Sequence, residues 1–398
     1  MRVAGPRITT QGQTRTWTCD LRLDGGGRSA LWFAIPDEHC DLLSDRLDAA
    51  LVALLIPAME RGEDLILEGV VTDELIHRSM RPAQAVLQTM FPQLALVDVH
   101  ASETARATSR AEGVATGFSG GIDSFCILAD HFYSDLPDHL RVNTLLFNNV
   151  GSHGSGGVRL FQQRLGRIRP LAQDLGLPIV AVDSNLDDQY RIGFQQSHSV
   201  RNAATAFLLQ AGIGRFLYAS ALHFGQVSLQ ATYDIAYADA VLLPLLSTSS
   251  LHLESVGSEY RRVDKTGRVA QIDDSYRFLD VCVQVESQGT NCSRCWKCLR
   301  TLLTLEVSGD LDKYRGVFDL STYRRHRHHY LSSALTSHDP LVREVLDFGR
   351  ERGFALPTSA RLRAPATRTS SAVARRVRQG TPAWLRSVVQ RLQDRDPQ

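Results

Sequence analysis

A run rich in glycine and serine constrains the fold of this chain more than any other feature. It reads Gly117-Phe118-Ser119-Gly120-Gly121-Ile122-Asp123-Ser124, after the apolar Val114-Ala115 and before the helical pattern of residues 125–129. Adjacent glycines allow a tight turn that presents backbone N–H groups to an anion, and a following helix adds the positive end of its dipole. The sequence therefore predicts a strand, a phosphate-binding loop and a helix.

The same run excludes one kind of phosphate chemistry. It lacks the Lys-Ser/Thr ending of the Walker loop, which disfavours transfer of the terminal phosphoryl group. The remaining chemistry keeps pyrophosphate as a leaving group while a substrate oxygen attacks the α-phosphorus of ATP.

The residues from Ser119 to Ser124 match the pattern SGGxDS, and the region 112–305 resembles the PP-loop (N-type) ATP pyrophosphatases. These belong to the adenine nucleotide alpha hydrolase-like superfamily, and the resemblance is nearest to 7-cyano-7-deazaguanine synthases. It implies an ATP- and Mg²⁺-dependent ligase that adenylates a carboxylate or carbonyl oxygen of a small molecule, releases pyrophosphate and lets a nitrogen nucleophile replace AMP. Because no glutaminase-like region is evident, we expect free ammonia, an amine, or ammonia from a partner protein.

Short apolar runs alternate with helical patterns from about residue 110 onward. The predicted strands and helices are 114–118, 124–132, 141–147, 158–175, 179–182, 201–210 and 216–219. This order favours an α/β fold with a doubly wound parallel sheet, and the resemblance implies its PP-loop, HUP-like form. Ligands of such sheets bind beyond the carboxyl ends of the strands. We therefore expect the loop, the Asn148-Asn149 pair and residues 183–185 to meet at one crevice.

The chain divides into four regions by pattern. Residues 1–108 predict an α+β domain for packing or substrate selection, with strands at 15–23, 30–35, 64–71 and 94–99 and a helix carrying the apolar residues of 47–59. Residues 109–310 predict the PP-loop domain, 311–357 a helical extension, and 358–398 a basic, weakly ordered tail with a short helix at 384–392. The tail contains nine arginines against two aspartates, a net charge of +7, which leaves −6 for the rest of the chain.

Four of the seven cysteines lie close together in sequence, at Cys282, Cys292, Cys295 and Cys298. Cys-x2-Cys spacing brings thiolates from one tight loop to one ion. The spacing therefore predicts a structural Zn²⁺ site with four protein ligands and no open coordination position. It resembles the zinc site of the deazaguanine synthases. An iron–sulfur cluster is the alternative, because Cys-x2-Cys-x2-Cys also binds clusters.

Several side chains are candidates for the reaction. Phe118, Ser119, Gly120, Gly121, Asp123 and Ser124 would hold pyrophosphate and Mg²⁺, and Asn148 and Asn149 would line the adenosine side. Arg201 lies in the segment 199–202, which is similar to the Gly-Arg-Asn element of the deazaguanine synthases, although the glycine is missing here. Lysine occurs only at positions 265, 297 and 313, which makes Lys265, before the cysteine cluster, a candidate for stabilising charge on the phosphates. Asp123, Ser124, Arg201 and Lys265 are the predicted catalytic residues.

Composition indicates the cellular compartment and the kinds of binding partner to expect. The chain has 398 residues, 43% of them hydrophobic, without an apolar stretch long enough to span a membrane or a secretory h-region, so we expect a cytoplasmic protein. The basic run 324–329 is compatible with nucleic acid, but the net acidic body favours a solvent-exposed helix face. The sequence leaves open whether the chain forms a homodimer. Two alternative functions also remain: sulfur transfer to a small molecule or tRNA, and non-catalytic sensing of an adenine nucleotide.

Overall fold

The computed structural model describes residues 1–107, 109–154, 157–284 and 290–355. The chain forms two compact units, the first from Met1 to Cys292 and the second beginning at Ser293. The domain boundary predicted at residue 108 falls inside the first unit. The predicted basic tail, with its short helix at 384–392, lies outside the described residues.

Within the described residues, the first unit contains one ten-stranded sheet in which six of the nine neighbouring pairs are parallel. The strands are β1 (Arg2–Gln11), β2 (Thr14–Arg22), β3 (Arg28–Pro36), β4 (Leu65–Thr72), β5 (Val99–Ala105), β6 (Gly113–Gly117), β7 (Thr144–Asn148), β8 (Ile179–Ser184), β9 (Ile213–Ala219) and β10 (His252–Val256). Their spatial order is β10-β9-β6-β7-β8-β3-β2-β1-β4-β5. The N-terminal strands thus continue the parallel sheet through an antiparallel contact between β3 and β8.

Helices connect these strands. They are α1 (Asp48–Arg61), α2 (Met80–Met90), α3 (Ile122–His131), α4 (Gly157–Leu175), α5 (His198–Leu208), α6 (Asp239–Leu246), α7 (Arg262–Val269) and α8 (Ser275–Phe278). The predicted α/β class is confirmed, with the predicted strand and helix order from residue 110 onward.

The N-terminal hairpin follows from alternation of apolar and polar residues. Trp17, Cys19 and Leu21 on β2 and Leu31 and Phe33 on β3 are buried, while the residues between them are more exposed. This period of two buries one face of the pair. The apolar residues of α1 recur with helical spacing and are buried as predicted.

The strand predicted at 94–99 is wrong, because β5 begins only at Val99. The Gln84 side chain accepts a hydrogen bond from Val97 N at 2.9 Å and donates one to Val97 O at 3.0 Å. These bonds satisfy the buried backbone N–H and C=O groups of Val97, which would otherwise need hydrogen bonds from a neighbouring strand. Sequence patterning also missed β1 altogether.

The parallel part of the sheet reverses its winding at β6. From β6 the chain adds β7 and β8 on one side, then returns to add β9 and β10 on the other. In open α/β sheets, the crevice at such a switch point, beyond the carboxyl ends of the strands, is where ligands bind. Here the switch point lies between β6 and β9, and the glycine-rich loop directly follows β6.

The second unit is helical over its described residues. It contains α9 (Trp296–Ser308), α10 (Leu320–Ala334) and α11 (Pro340–Glu351). The basic run 324–329 lies on α10, where most of its side chains are exposed and Arg327 pairs with Glu306 at 2.7 Å. Among the described residues, no helix is both long enough and apolar enough to cross a membrane.

Candidate functional site

The glycine-rich loop turns sharply between β6 and α3. Gly120 has a φ of +76°, a conformation that favours glycine, and its carbonyl accepts a hydrogen bond from Asp280 N at 2.7 Å. Gly121 then caps α3, and its N–H approaches Ser119 Oγ at 3.4 Å. Ser124 Oγ donates to Gly121 O at 3.0 Å. The loop thus presents backbone N–H groups, hydroxyls and a helix N-terminus at the carboxyl edge of the sheet.

Two cations from α7 converge on the carboxylate of Asp123. Arg262 Nη1 lies 2.7 Å from Asp123 Oδ2, and Lys265 Nζ lies 3.4 Å from Asp123 Oδ1. Arg262 and Lys265 are three residues apart on one helix, so both side chains project from the same face. The structure therefore brings together two residues predicted from sequence, Asp123 and Lys265, and adds a third, Arg262.

Lys265 is a buried cation held by oxygen atoms. Its side chain is 2% exposed, and its ammonium donates to the carbonyl of Ser220, directly after β9, at 2.5 Å. Gly257, just after β10, has a φ of +84°, and a Cβ there would lie 3.5 Å from Lys265 Nζ. The positive φ, rather than lack of space, is what favours glycine at this position. Because a buried ammonium needs such partners, its position at the switch point is well defined.

The two asparagines at the end of β7 lie in a different hydrogen-bond network. Asn148 Nδ2 donates to Asn202 Oδ1 at 3.0 Å and to Thr205 Oγ1 at 2.9 Å, both on α5. Among the described residues, Asn148 Oδ1 is buried without a hydrogen-bond partner. Asn149 Nδ2 donates to Asp183 Oδ1, at the end of β8, at 2.6 Å. The polar ends of β7 and β8 therefore meet at the same edge of the sheet.

Arg201 lies in the interior of the protein. Its side chain is fully buried, with Nε donating to Ser197 Oγ at 2.7 Å and Nη1 to Val150 O at 2.8 Å and to Asp187 Oδ1 at 2.5 Å. The guanidinium also stacks 3.9 Å above the Tyr190 ring. These partners are protein groups from the segments after β7 and β8, so the structure assigns Arg201 a packing environment. Its predicted contact with phosphate stays a prediction.

A polar cluster occupies the end of β9 beside the first turns of α5 and α6. His198 Nδ1 lies 2.6 Å from the Tyr218 hydroxyl, and His198 Nε2 lies 3.4 Å from Asp234 Oδ1. Asp239, in the first turn of α6, is 1% exposed, and burial raises its pKa to about 6. Neither of its carboxylate oxygens has a hydrogen-bond partner among the described residues.

Cys19 and Cys126 are poor nucleophiles because both thiols are buried. Burial raises the pKa of the Cys126 thiol, on α3, to about 12 and also raises that of Cys19, on β2. At neutral pH both residues are therefore thiols, whereas the thiolate is the reactive form.

The four clustered cysteines form a candidate metal centre. The sulfurs of Cys282, Cys292, Cys295 and Cys298 all lie within 4.8 Å of one another. A tetrahedral zinc with Zn–S bonds of about 2.3 Å separates its thiolates by about 3.8 Å, so the spacing fits a single ion. Cys295 caps α9 and Cys298 lies in its first turn, where the helix dipole favours negative charge. This centre could hold a metal ion such as zinc.

We expect purified protein to contain about one zinc per chain, because four thiolates satisfy the tetrahedral preference of this ion. Element analysis by mass spectrometry checks the stoichiometry, and Cys298→Ser should lower it at least tenfold. Cys126→Ser is the matched control and should leave the metal content unchanged. Iron accompanied by acid-labile sulfide would contradict the zinc assignment.

Comparisons of the chain with protein-family models, with curated proteins and with solved structures found no match. The family resemblance of the loop therefore stays a prediction.

Four residues of these clusters were not predicted from sequence as candidate site residues: Arg262, His198, Tyr218 and Asp234. The spacing of Arg262 and Lys265, three residues apart in a helical pattern, was an available signal for Arg262. No local pattern indicates that His198, Tyr218 and Asp234 meet, because they come from three elements separated in sequence.

Proposed function

We propose that the protein is an ATP pyrophosphatase-type ligase of the PP-loop kind, with a doubly wound sheet. It adenylates a carboxylate or carbonyl oxygen of a small molecule, releases pyrophosphate and exchanges AMP for a nitrogen nucleophile. The observation that carries the proposal is the contact of Lys265 and Arg262 with Asp123. Asp123 lies in the first turn of α3, directly after the glycine-rich loop.

The groups at the loop suit ATP and Mg²⁺. Backbone N–H groups and the Ser119 hydroxyl are donors for phosphate oxygens, and the α3 N-terminus favours negative charge. The Ser124 hydroxyl would exchange its bond to Gly121 O for one to phosphate. The Asp123 carboxylate, 25% exposed, offers the hard oxygen ligand that Mg²⁺ prefers. A bound Mg²⁺ would neutralise charge on the phosphates.

Lys265 and Arg262 would stabilise the departing pyrophosphate. Attack of the substrate oxygen on the α-phosphorus forms one P–O bond and breaks another, so negative charge grows on the pyrophosphate oxygens. Preorganised cations at that position lower the barrier most, since they need no reorganisation during the reaction.

The nitrogen alternative is preferred to sulfur transfer. A sulfur carrier needs a reactive cysteine outside the metal centre, whereas the two buried candidates, Cys19 and Cys126, have raised pKa values. Sulfur transfer thus requires sulfide from outside the chain or the third candidate, Cys40.

The test is ATP-dependent release of pyrophosphate in the presence of a panel of carboxylic acids. We expect Asp123→Ala to lower the rate by about 10²-fold and Ser119→Ala by about 10-fold, since each removes a group that contacts the phosphates or Mg²⁺. Asp135→Ala, which alters an exposed aspartate beyond α3, is the control and should match the wild type. Equal release from all four proteins would contradict the proposal. Tight ATP binding without turnover on any acid would favour a nucleotide sensor instead.

A further inference from the structure

Asp239 is a buried acid; burial raises its pKa, whereas the neighbouring His198 lowers it. Its side chain is 1% exposed, both of its oxygens are without hydrogen-bond partners among the described residues, and so is the neighbouring Ser199 Oγ. Buried polar groups are almost always hydrogen-bonded, and an unpaired buried carboxylate is costly. Such a carboxylate calls for a ligand that donates hydrogen bonds and carries positive charge.

Next to Asp239, three side chains form a hydrogen-bonded chain. With the Nε2 proton of His198 donated to Asp234 at 3.4 Å, His198 Nδ1 accepts from the Tyr218 hydroxyl at 2.6 Å. Asp234 is fixed in turn by Ala236 N at 2.9 Å and Gln195 Nε2 at 2.5 Å. This order leaves the lone pairs of the Tyr218 oxygen as the free acceptor at one end of the chain.

The cluster lies at the same switch point as the glycine-rich loop. Tyr218 precedes by two residues the Ser220 carbonyl that binds Lys265. The negative charges of Asp239, Asp234 and Asp123 all raise the pKa of Tyr218, in addition to burial. Asp239 and the phosphate-side carboxylate Asp123 therefore act on one hydroxyl.

We propose that Asp239 binds the nitrogen nucleophile as an ammonium group, and that Tyr218, backed by His198 and Asp234, accepts the proton that this group loses before attack. The proposal rests on the proposed ligase function and identifies its second substrate as ammonium or a primary ammonium compound. Tyr218 would be a catalytic residue, whereas His198 and Asp234 would act through it as positioning residues.

The ammonium loses one proton to the Tyr218 oxygen while Tyr218 passes its own proton to His198 Nδ1, and Asp234 stabilises the resulting imidazolium. The freed lone pair on nitrogen attacks the activated carbon, a C–N bond forms, and the bond from carbon to the AMP oxygen breaks with its electron pair leaving on AMP. Water takes the further proton that the new C–N nitrogen releases.

Two half-reactions separate this proposal from the ligase assignment. ATP–pyrophosphate exchange reports adenylation alone, and incorporation of ¹⁵N from ammonium chloride or methylammonium chloride reports nitrogen transfer. We expect Asp239→Asn to raise the KM for the nitrogen donor at least 10-fold, and His198→Gln to lower kcat about 10²-fold. Both variants should keep exchange within about threefold of the wild type. His139→Gln, an exposed histidine before β7, is the control.

A binding measurement tests the Asp239 site without any turnover. Ammonium chloride at ten times its dissociation constant should raise the melting temperature of the wild type by about 3 °C over sodium chloride of equal ionic strength. Asp239→Asn should lose this shift, and Asp239→Ser serves if the Asn variant does not fold. Stabilisation by methylammonium but not by ammonium would identify an organic amine as the substrate and support the proposal.

An unchanged KM in Asp239→Asn, or a wild type that neither ammonium salt stabilises, would overturn the inference. A wild type that binds ammonium but shows no ATP–pyrophosphate exchange with any acid would instead refute the ligase function, while the cation-binding site at Asp239 would stand.

Discussion

Replacement of Lys265 by alanine is expected to slow ATP-dependent pyrophosphate release by about 10²- to 10³-fold, or about 3–4 kcal/mol of transition-state stabilisation. The ammonium of Lys265 is held 3.4 Å from Asp123 Oδ1 and 2.5 Å from the Ser220 carbonyl, so its position is fixed before the reaction. A fixed cation stabilises the growing charge on pyrophosphate without reorganisation. Initial rates at saturating ATP and acid check the prediction.

Two further variants separate chemistry from folding. Lys313→Ala alters one of the other two lysines, which is exposed and pairs with Asp310, and should leave the rate unchanged. Lys265→Met keeps most of the buried side-chain volume while removing the charge, so its loss of rate should match that of Lys265→Ala. A Met variant as active as the wild type would show that Lys265 only packs the site.

Replacement of Arg201 by alanine is expected to lower the free energy of unfolding by about 2–5 kcal/mol. The guanidinium is fully buried, donates to Ser197, Val150 and Asp187, and stacks on the Tyr190 ring. Its removal leaves buried acceptors unpaired and opens a cavity beneath an aromatic ring. Urea denaturation of wild type and variant measures the difference.

The control for Arg201 is an exposed arginine with a simple ion pair. Arg277 pairs with Asp174 at 2.9 Å while 61% of its side chain is exposed, so Arg277→Ala should change stability by less than about 1 kcal/mol. Unaltered stability of Arg201→Ala together with a raised KM for ATP would favour the phosphate contact predicted from sequence. Reduced stability with an unchanged KM would assign Arg201 to the scaffold.

Local sequence patterns predicted the secondary structure correctly where it depends on residues that are close in sequence. The apolar alternation of β2 and β3 and the helical spacing of α1 each predict the element that forms, because one face of each is buried. The strand predicted at 94–99 failed because Gln84, a residue of α2, supplies hydrogen bonds to that backbone. No pattern within these six residues reveals that Val97 is bonded by a side chain thirteen residues upstream.

For the candidate site, the chain order alone indicates a glycine-rich turn at the start of α3 and a group of four cysteines able to approach one ion. Both features are made by residues close in sequence, so backbone conformation and spacing suffice.

The pairing of Arg262 with Asp123, the interior position of Arg201 and the unpartnered carboxylate of Asp239 were decided only by the tertiary structure. The environments of Asp123 and Asp239 depend on which strands become neighbours at the switch point between β6 and β9. That of Arg201 depends on the segments after β7 and β8. The burial and electrostatic environment of these side chains are set by residues that are distant in sequence and come into contact only in the folded sheet, so no local sequence pattern predicts them.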